Sequence, residues 1–311
     1  VLVAANLFLR SFNKATGAAD GVLAMTMATF FSPVSGGAGL SDPRVKFDPI
    51  SRRWFVSIIT TSTTNRVLLA VSSGSVITGT SSFTFFSFAA TDGGGAEPQT
   101  PFADYDTLGI DAKGVYIGVN MFNTAGTAFL GSTVYVINKA ALLAPTPSLA
   151  VTAFRQLNNG SGAGAYTPYV ADNADPAATA AYLVGTDNAS FGLLVVRRIT
   201  GADTLTPAIS ANLPISVPTT SSPLNVPVLG RTQTALDALD DRLFEAKVSN
   251  GRLWTAHNIQ VDATGAASNS GGRTGSRWYE ITNLDTTPVL LQAGTLYSSA
   301  TTNPDSYWIP S

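Results

Sequence analysis

The chain has 311 residues, enough to bury a large core, with 18 basic and 20 acidic residues for a net charge of −2. Only 12% of residues are charged while 45% are hydrophobic, against about 25% charged in an ordinary soluble domain; this excludes intrinsic disorder, disfavours long helices and, with no basic block, argues against nucleic acid as a partner. There is no cysteine, which excludes disulfides, thiolate zinc sites and a cysteine nucleophile.

No apolar run approaches the ~20 residues of a membrane helix, so no membrane span is expected. Ser, Thr, Gly, Ala and Asn fill the deficit in charge and suit many short strands joined by tight turns. Low charge with many hydroxyls leans towards an exported protein, extracellular or at the cell surface. The chain opens at Val1 inside a stretch that reads as a strand, and is expected to be a mature or trimmed product. Two sequons, at Asn159 and Asn188, would matter only in a glycosylating pathway.

Taken in order, Val1 to Phe12 reads as a buried strand and Asn13 to Gly17 as a turn. Val22 to Phe31 reads as a second strand and Ser32 to Gly39 as a loop. Ser41-Asp42-Pro43-Arg44 then opens a short inner strand, Val45 to Asp48. A turn over Pro49 to Arg53 leads into Trp54 to Thr60, and Val67 to Ser72 and Phe83 to Phe88 complete four strands before Asp92-Gly93-Gly94-Gly95. A second unit opens at Asp104-Tyr105-Asp106, with Thr107 to Asp111, Val115 to Phe122 and Ser132 to Asn138 as strands. Lys139 to Leu143 is one helical turn, stopped by Pro145 and Pro147.

A third unit starts near Tyr166-Thr167-Pro168. Ala180 to Thr186 and Phe191 to Ile199 are its strands, with Thr204 to Ala208 or Ala211 to Val217 at the edge. The prolines at 214, 218, 223 and 227 fit edge strands and connectors. The fourth starts at Asp240-Asp241-Arg242, with Leu243 to Val248, a hairpin turn at Asn250-Gly251, and Leu253 to Ile259. A polar loop over Gly265 to Gly275 precedes Arg277 to Thr282 and Val289 to Ser298. Tyr307 to Pro310 reads as one more inner strand, placed to pair beside Val1 to Phe12 and close a ring.

The openings are evenly spaced: Asp42 to Asp104 is 62 positions, Asp104 to Thr167 is 63, Thr167 to Asp240 is 73 and Asp240 to Tyr307 is 67. A fixed period of four strands is the mark of a propeller, although the common repeats run about 40–50 residues. The expectation is one all-β domain over residues 1–311, a β-propeller of about five four-stranded blades, or six if the chain is trimmed. A thin sheet cannot bury two faces alone, and stacking sheets around an axis buries both.

The segments DPRVKFDPISRRWF, NKATG with Phe30-Phe31, DYDTLGIDAKGVYIGVNMF and DDRLFEAKVSNGRLWTAHN followed by RWYEI resemble a family of bacterial exported β-propellers of uncharacterised role, sialidase-like in fold. The resemblance covers most of the chain and implies fold rather than activity. The family's usual opening inner strand is not seen ahead of Val1. Sialidases repeat an Asp-box, Ser-x-Asp-x-Gly-x-Thr-Trp; no copy is present, so their catalytic residues do not carry over.

Few residues can carry chemistry. His257 is the lone histidine, which excludes a histidine-rich metal site and, elsewhere, a Ser-His-Asp relay; it reads as a hydrogen-bonded residue at a strand end. Asp42, Arg44, Asp104, Asp106, Asp240, Asp241 and Arg242 mark the inner-strand openings and are the candidate ligand-binding residues at a channel mouth. They can form a polar funnel, a cation site, or a carboxylate pair for glycoside cleavage at about 5–9.5 Å. The blander alternative, local ion pairs within Asp-Pro-Arg and Asp-Asp-Arg, carries more weight. Trp54, Trp254, Trp278 and Trp308 read as packing between blades rather than sugar platforms, and Phe83, Phe85, Phe86 and Phe88 as a buried face. The functional expectation is a non-catalytic binding or scaffold module contacting protein or glycan, or self-associating, since little charge opposes assembly. No cofactor is expected beyond structural calcium. The alternative is a glycoside hydrolase-like enzyme.

Overall fold

Runs such as RWFVSIIT and RVLLAVS are too short for stable helices and rich in β-branched and aromatic residues, the composition of strands buried on both faces. The computed structural model describes residues 1–95, 101–158, 164–187, 189–228 and 235–311. It is all-β, with several four-stranded antiparallel sheets. The chain divides into two compact units, one formed by Val1–Leu157, Ala174–Thr179 and Thr200–Ala208, the other by Asn158–Asn173, Ala180–Ile199 and Ile209–Ser311. The asparagines of both sequons, Asn159 and Asn188, lie outside the described residues.

In the first unit, β1 (Leu2–Ala5), β2 (Phe8–Phe12) and β3 (Ala19–Thr26) form a three-stranded sheet, followed by the helical turns α1 (Met27–Phe30) and α2 (Ser32–Ser35). A meander follows: β4 (Leu40–Asp48), β5 (Arg53–Thr60), β6 (Arg66–Ser72) and β7 (Phe83–Ala89), hydrogen-bonded in chain order. The next meander contains β8 (Pro101–Ile110), β9 (Gly114–Asn123), β10 (Phe129–Asn138), the turn α3 (Lys139–Leu143) and β11 (Val151–Phe154).

Strand alternation sorts the central sheet of this unit onto two cores. Phe55, Ile59, Val67, Leu69 and Val71 pack with Leu108, Ile117, Val119, Met121 and Tyr135 of the following sheet. Their neighbours Val56, Ile58, Leu68 and Ala70 pack with Leu9, Leu23, Met27, Phe30 and Phe31 of the preceding one. Three sheets are thus stacked, and the middle one has no solvent face, which is why its sequence is apolar without alternation. Each such side chain contributes roughly 1.5–3 kcal/mol of transfer free energy. Phe83 and Phe85 fall on one core and Phe86 and Phe88 on the other, so the aromatic strand is buried on both faces.

Two N-terminal expectations are corrected. Val1 to Phe12 is a hairpin rather than one strand: Asn6 turns the chain with a φ of 28°, and Leu2 pairs with Ser11. Phe30 and Phe31 do not end a strand. The Thr26 side chain caps α1 by accepting from the Thr29 N–H at 3.1 Å, Pro33 sits in the first turn of α2, and Gly36 closes it in the left-handed conformation. The two rings meet edge to face at 5.0 Å in the core.

In the second unit, β12 (Ala165–Val170), β13 (Asp172–Asn173), β14 (Ala181–Asp187), β15 (Leu193–Thr200), β16 (Ala208–Ile209) and β17 (Leu213–Ser216) lead to a small ribbon, β18 (Val226–Pro227) and β19 (Ala235–Leu236). The last meander is β20 (Leu243–Ser249), β21 (Arg252–Val261), β22 (Arg273–Thr282) and β23 (Val289–Leu296). One sheet runs β12-β14-β15-β16, with β17 also on β15; the other runs β13-β20-β21-β22-β23, where β13 joins β20 in parallel. Tyr169, Tyr182, Val184, Leu194 and Ile215 of the first pack against Leu243, Val248, Leu253, Tyr279 and Ile281 of the second. Asn250 and Gly251 both have positive φ, 51° and 71°, as a two-residue hairpin turn requires.

Two C-terminal expectations also change. β22 begins at Arg273, inside the stretch expected to be loop. Tyr307 to Pro310 is not a strand: Pro310 lacks an N–H, Ile309 has a φ of 50°, and the segment is tied instead by the Tyr307 N–H to the Thr274 carbonyl and the Ile309 N–H to Asn258 Oδ1. Among the described residues no helix is long and apolar enough to cross a membrane.

Candidate functional site

Three of the expected inner-strand openings carry a non-glycine residue at positive φ, Asp42 at 60°, Tyr105 at 53° and Thr167 at 44°, and Leu239, directly before the fourth, has a φ of 59°. In three of them the antiparallel register slips at that point, between Ser41 and Arg44, Asp104 and Thr107, and Tyr166 and Tyr169. Such kinks cost of order 1–3 kcal/mol each and concentrate where side chains must be re-aimed.

In the first unit the kinks bring Asp42, Arg44, Tyr105 and Asp106 together. Arg44 Nε donates to the Asp106 carbonyl at 2.6 Å, and its guanidinium lies over the Tyr105 ring at 4.8 Å. The Asp106 side chain is fully buried; Oδ2 accepts from the Ser57 hydroxyl at 2.6 Å and Oδ1 has no hydrogen-bond partner. Burial pushes its carboxyl up to about 7, against the opposing pull of Arg44 and Ser57. Asp104 is half-buried on β8 beside them.

In the second unit, Asp240 and Arg242 form the local ion pair expected from the sequence, Nε to Oδ1 at 2.6 Å. Asp240 Oδ2 also accepts from the Tyr166 hydroxyl at 2.8 Å. Burial works against the ionised form of Asp240, but the Arg242 guanidinium and the Tyr166 hydroxyl outweigh it and hold the carboxyl below the usual range. Asp241 has the opposite fate: burial and the neighbouring Asp240 charge push it up to about 6.

Asp240 and Asp241 line a pocket of about 140 Å³ with Asp187, Ser190, Phe191 and Ser222. Asp187 was not singled out by sequence. It ends β14, is 3% exposed, and turns the chain by accepting from the Ala189 N–H at 2.7 Å through Oδ1, while Oδ2 has no partner. Phe191 is 56% exposed at the same pocket. The sequence signal for Asp187 was an acidic residue at a strand end in a chain with few charges.

His257 positions this loop. It lies in the middle of β21, not at a strand end, and is fully buried. Nδ1 is 2.5 Å from the Asp241 carbonyl and Nε2 is 2.9 Å from the Tyr279 hydroxyl. The carbonyl can only accept, so Nδ1 carries the proton and Nε2 accepts from Tyr279. Burial lowers the imidazole to about 4, so it is neutral at physiological pH. Asn258 Nδ2 donates to the Ala238 carbonyl at 3.1 Å, and the Ala238 N–H donates to Asn225 at 3.1 Å, which fixes the backbone before Asp240.

Gly185 on β14 also shapes the second unit. A Cβ there would lie 2.6 Å from the Tyr166 carbonyl oxygen and 2.9 Å from the Ala165 Cβ. Gly185→Ala is therefore expected to cost about 1–3 kcal/mol by overpacking, read as a lower Tm. An unchanged Tm would show that β12 yields without strain.

Trp54 packs on the core between its sheet and the preceding one, as expected, whereas Trp254 and Trp278 pair within one sheet. Trp54 meets its cross-strand partner Phe47 at 4.9 Å, and Trp254 stacks on Trp278 at 5.9 Å. Among the described residues no group of three or more Asp, Glu or His side chains is placed to hold a metal ion.

No family model matches the sequence, and no curated protein matches it. Two solved structures align with much of the chain. The subtype N10 neuraminidase-like protein of A/little yellow-shouldered bat/Guatemala/060/2010 aligns over 94% of this chain and 73% of its own, at 12% identity and a TM-score of 0.43. The α-L-arabinofuranosidase PaAbf62A from Podospora anserina, in complex with cellotriose, aligns over 88% and 73%, at 13% identity and a TM-score of 0.37. Likenesses this shallow assign neither an activity nor a site.

Proposed function

We propose that the chain is a single β-propeller domain of about five blades, exported or at the cell surface, which acts as a non-catalytic binding module. The pocket of the second unit takes a small polar group of a glycan. The carrying observation is Asp187, a residue of the pocket lining whose buried Oδ2 has no donor, with the exposed Phe191 at the same pocket. An acceptor-rich floor beside an aromatic face suits a sugar, which offers hydroxyl donors on its edges and C–H groups on its faces. A pocket of about 140 Å³ lies below the roughly 300–1,000 Å³ of sites that enclose a ligand, which favours holding one group over enclosing a reaction. The stacking of three sheets in the first unit and two in the second supports the propeller reading.

One observation favours a glycoside hydrolase as the second reading. Asp241, raised to about 6, is near the range of a general acid, and ionised Asp240 stands beside it. Calorimetric titration of soluble oligosaccharides, paired with a reducing-end assay, separates the two. Binding without product, weakened at least tenfold by Phe191→Ala, is the expected result. Product formation that Asp241→Asn abolishes would replace the binding reading with the hydrolase. Mass that grows with concentration in light scattering, with no glycan bound, would move the reading to self-association.

A further inference from the structure

The charges around this pocket do not balance. Asp240 is saturated: Arg242 donates to Oδ1 through its backbone N–H and Nε, at 3.0 and 2.6 Å, and to Oδ2 through Nη2 at 2.8 Å, where the Tyr166 hydroxyl also donates at 2.8 Å. That pair consumes the cation. Asp187 and Asp241 remain, and among the described residues no Lys or Arg lines the pocket with them. Asp187 Oδ2 is shielded from bulk solvent without a donor, an arrangement that costs about 1–3 kcal/mol, more for a charged group, until a donor arrives.

Resting on the reading of this pocket as a glycan site, we infer that the group it accepts is the primary ammonium of an amino sugar. An ammonium brings three donors and a positive charge, and so answers both the vacant Asp187 oxygen and the excess of negative charge. The Phe191 ring at the rim offers its face to a cation or to sugar C–H groups. Ser190 and Ser222 at the same pocket suit hydroxyls flanking the amine. A lysine side chain, with four methylenes behind its ammonium, would need an apolar slot, and among the described residues Phe191 is the one large apolar side chain in the lining.

The test is titration of the full chain with a glucosamine oligomer, its fully N-acetylated counterpart, a glucose oligomer of equal length, and Nα-acetyl-lysine amide. The glucosamine oligomer should bind at least tenfold more tightly than the other three, and should weaken with added salt. Asp187→Asn, nearly the same shape, should remove most of that preference while keeping the wild-type Tm. Phe191→Ala should weaken all sugars without changing their order, and so reads the pocket independently of Asp187. Equal binding of the acetylated, neutral and amine oligomers, still sensitive to Phe191→Ala, would overturn the ammonium and leave the glycan pocket standing. Tighter binding of the lysine derivative would overturn the amino sugar. Failure of every oligomer to bind would overturn both readings.

Discussion

Replacing Lys139 by methionine is expected to destabilise the protein by about 3–5 kcal/mol, the cost of stranding a buried charge. Lys139 opens α3 in the first unit, and its ammonium sits 2.8 Å from Asp48 Oδ2, with side-chain exposures of 4% and 3%. It also donates to the Asp111 carbonyl, so one ammonium joins the β4–β5 turn to the β8–β9 turn. Burial pushes the Asp48 carboxyl up, but Lys139 and the Ser51 hydroxyl prevail and hold it below the usual range. A carboxyl depressed in the folded state adds stability above its unfolded pKa, lost as pH falls through the folded value. Without Lys139, burial of Asp48 is opposed only by the Ser51 hydroxyl and the Ile50 and Ser51 N–H groups. The defect should then be largest at neutral pH and shrink as pH falls towards 4, where the variant's buried Asp48 takes up a proton more readily than the wild-type carboxyl, which is held below its usual range. Denaturant midpoints at pH 7 and pH 4 measure this, and the double variant Lys139→Met with Asp48→Asn should recover more than half of the loss. A single variant within about 1 kcal/mol of wild type at pH 7 would show that water replaces the ammonium.

Lys139 also shows where sequence reading stops. KAALL was legible as one helical turn, because Asn138 caps it locally, accepting from the Ala141 N–H at 3.1 Å, and prolines follow. That its first residue is a buried cation depends on Asp48, 91 positions earlier, and no local pattern carries that. The same division runs through the candidate sites. Asp-Pro-Arg and Asp-Asp-Arg marked the strand openings because they interrupt apolar alternation in a chain with few charges. The positive φ at Tyr105 and Thr167 was invisible, since neither residue type favours it. Asp187 gave only the weak signal of one acid at a strand end. The helical turn α1 after Thr26 reads as strand because a brief apolar run with aromatics fits both states until the partner surface is known, and α2 falls in a stretch that reads as loop.

Asp106→Asn is expected to stabilise the protein at pH 8, by up to about 4 kcal/mol relative to its effect in acid. The wild-type carboxyl is raised to about 7 by burial, against an unfolded value near 3.9. Between those values the folded chain binds the proton and the unfolded chain does not, so wild-type stability falls as pH rises, and the whole deficit of roughly three pKa units, about 4 kcal/mol, is present above pH 7. Asparagine cannot ionise and keeps a carbonyl for the Ser57 hydroxyl, so its curve lacks this slope. Asp241, raised to about 6, adds a smaller slope of the same sign in both proteins. His257 adds one of opposite sign: its pKa falls to about 4 in the folded state, so its contribution is intact above its unfolded value near 6.5 and lost as pH falls towards 4. Both cancel in the difference between variant and wild type. That difference should therefore open steadily from pH 4 to pH 7 and then level. Parallel stability curves over the same range would mean that Asp106 is ionised in the folded protein at an ordinary pKa, and that its unpartnered oxygen is hydrated.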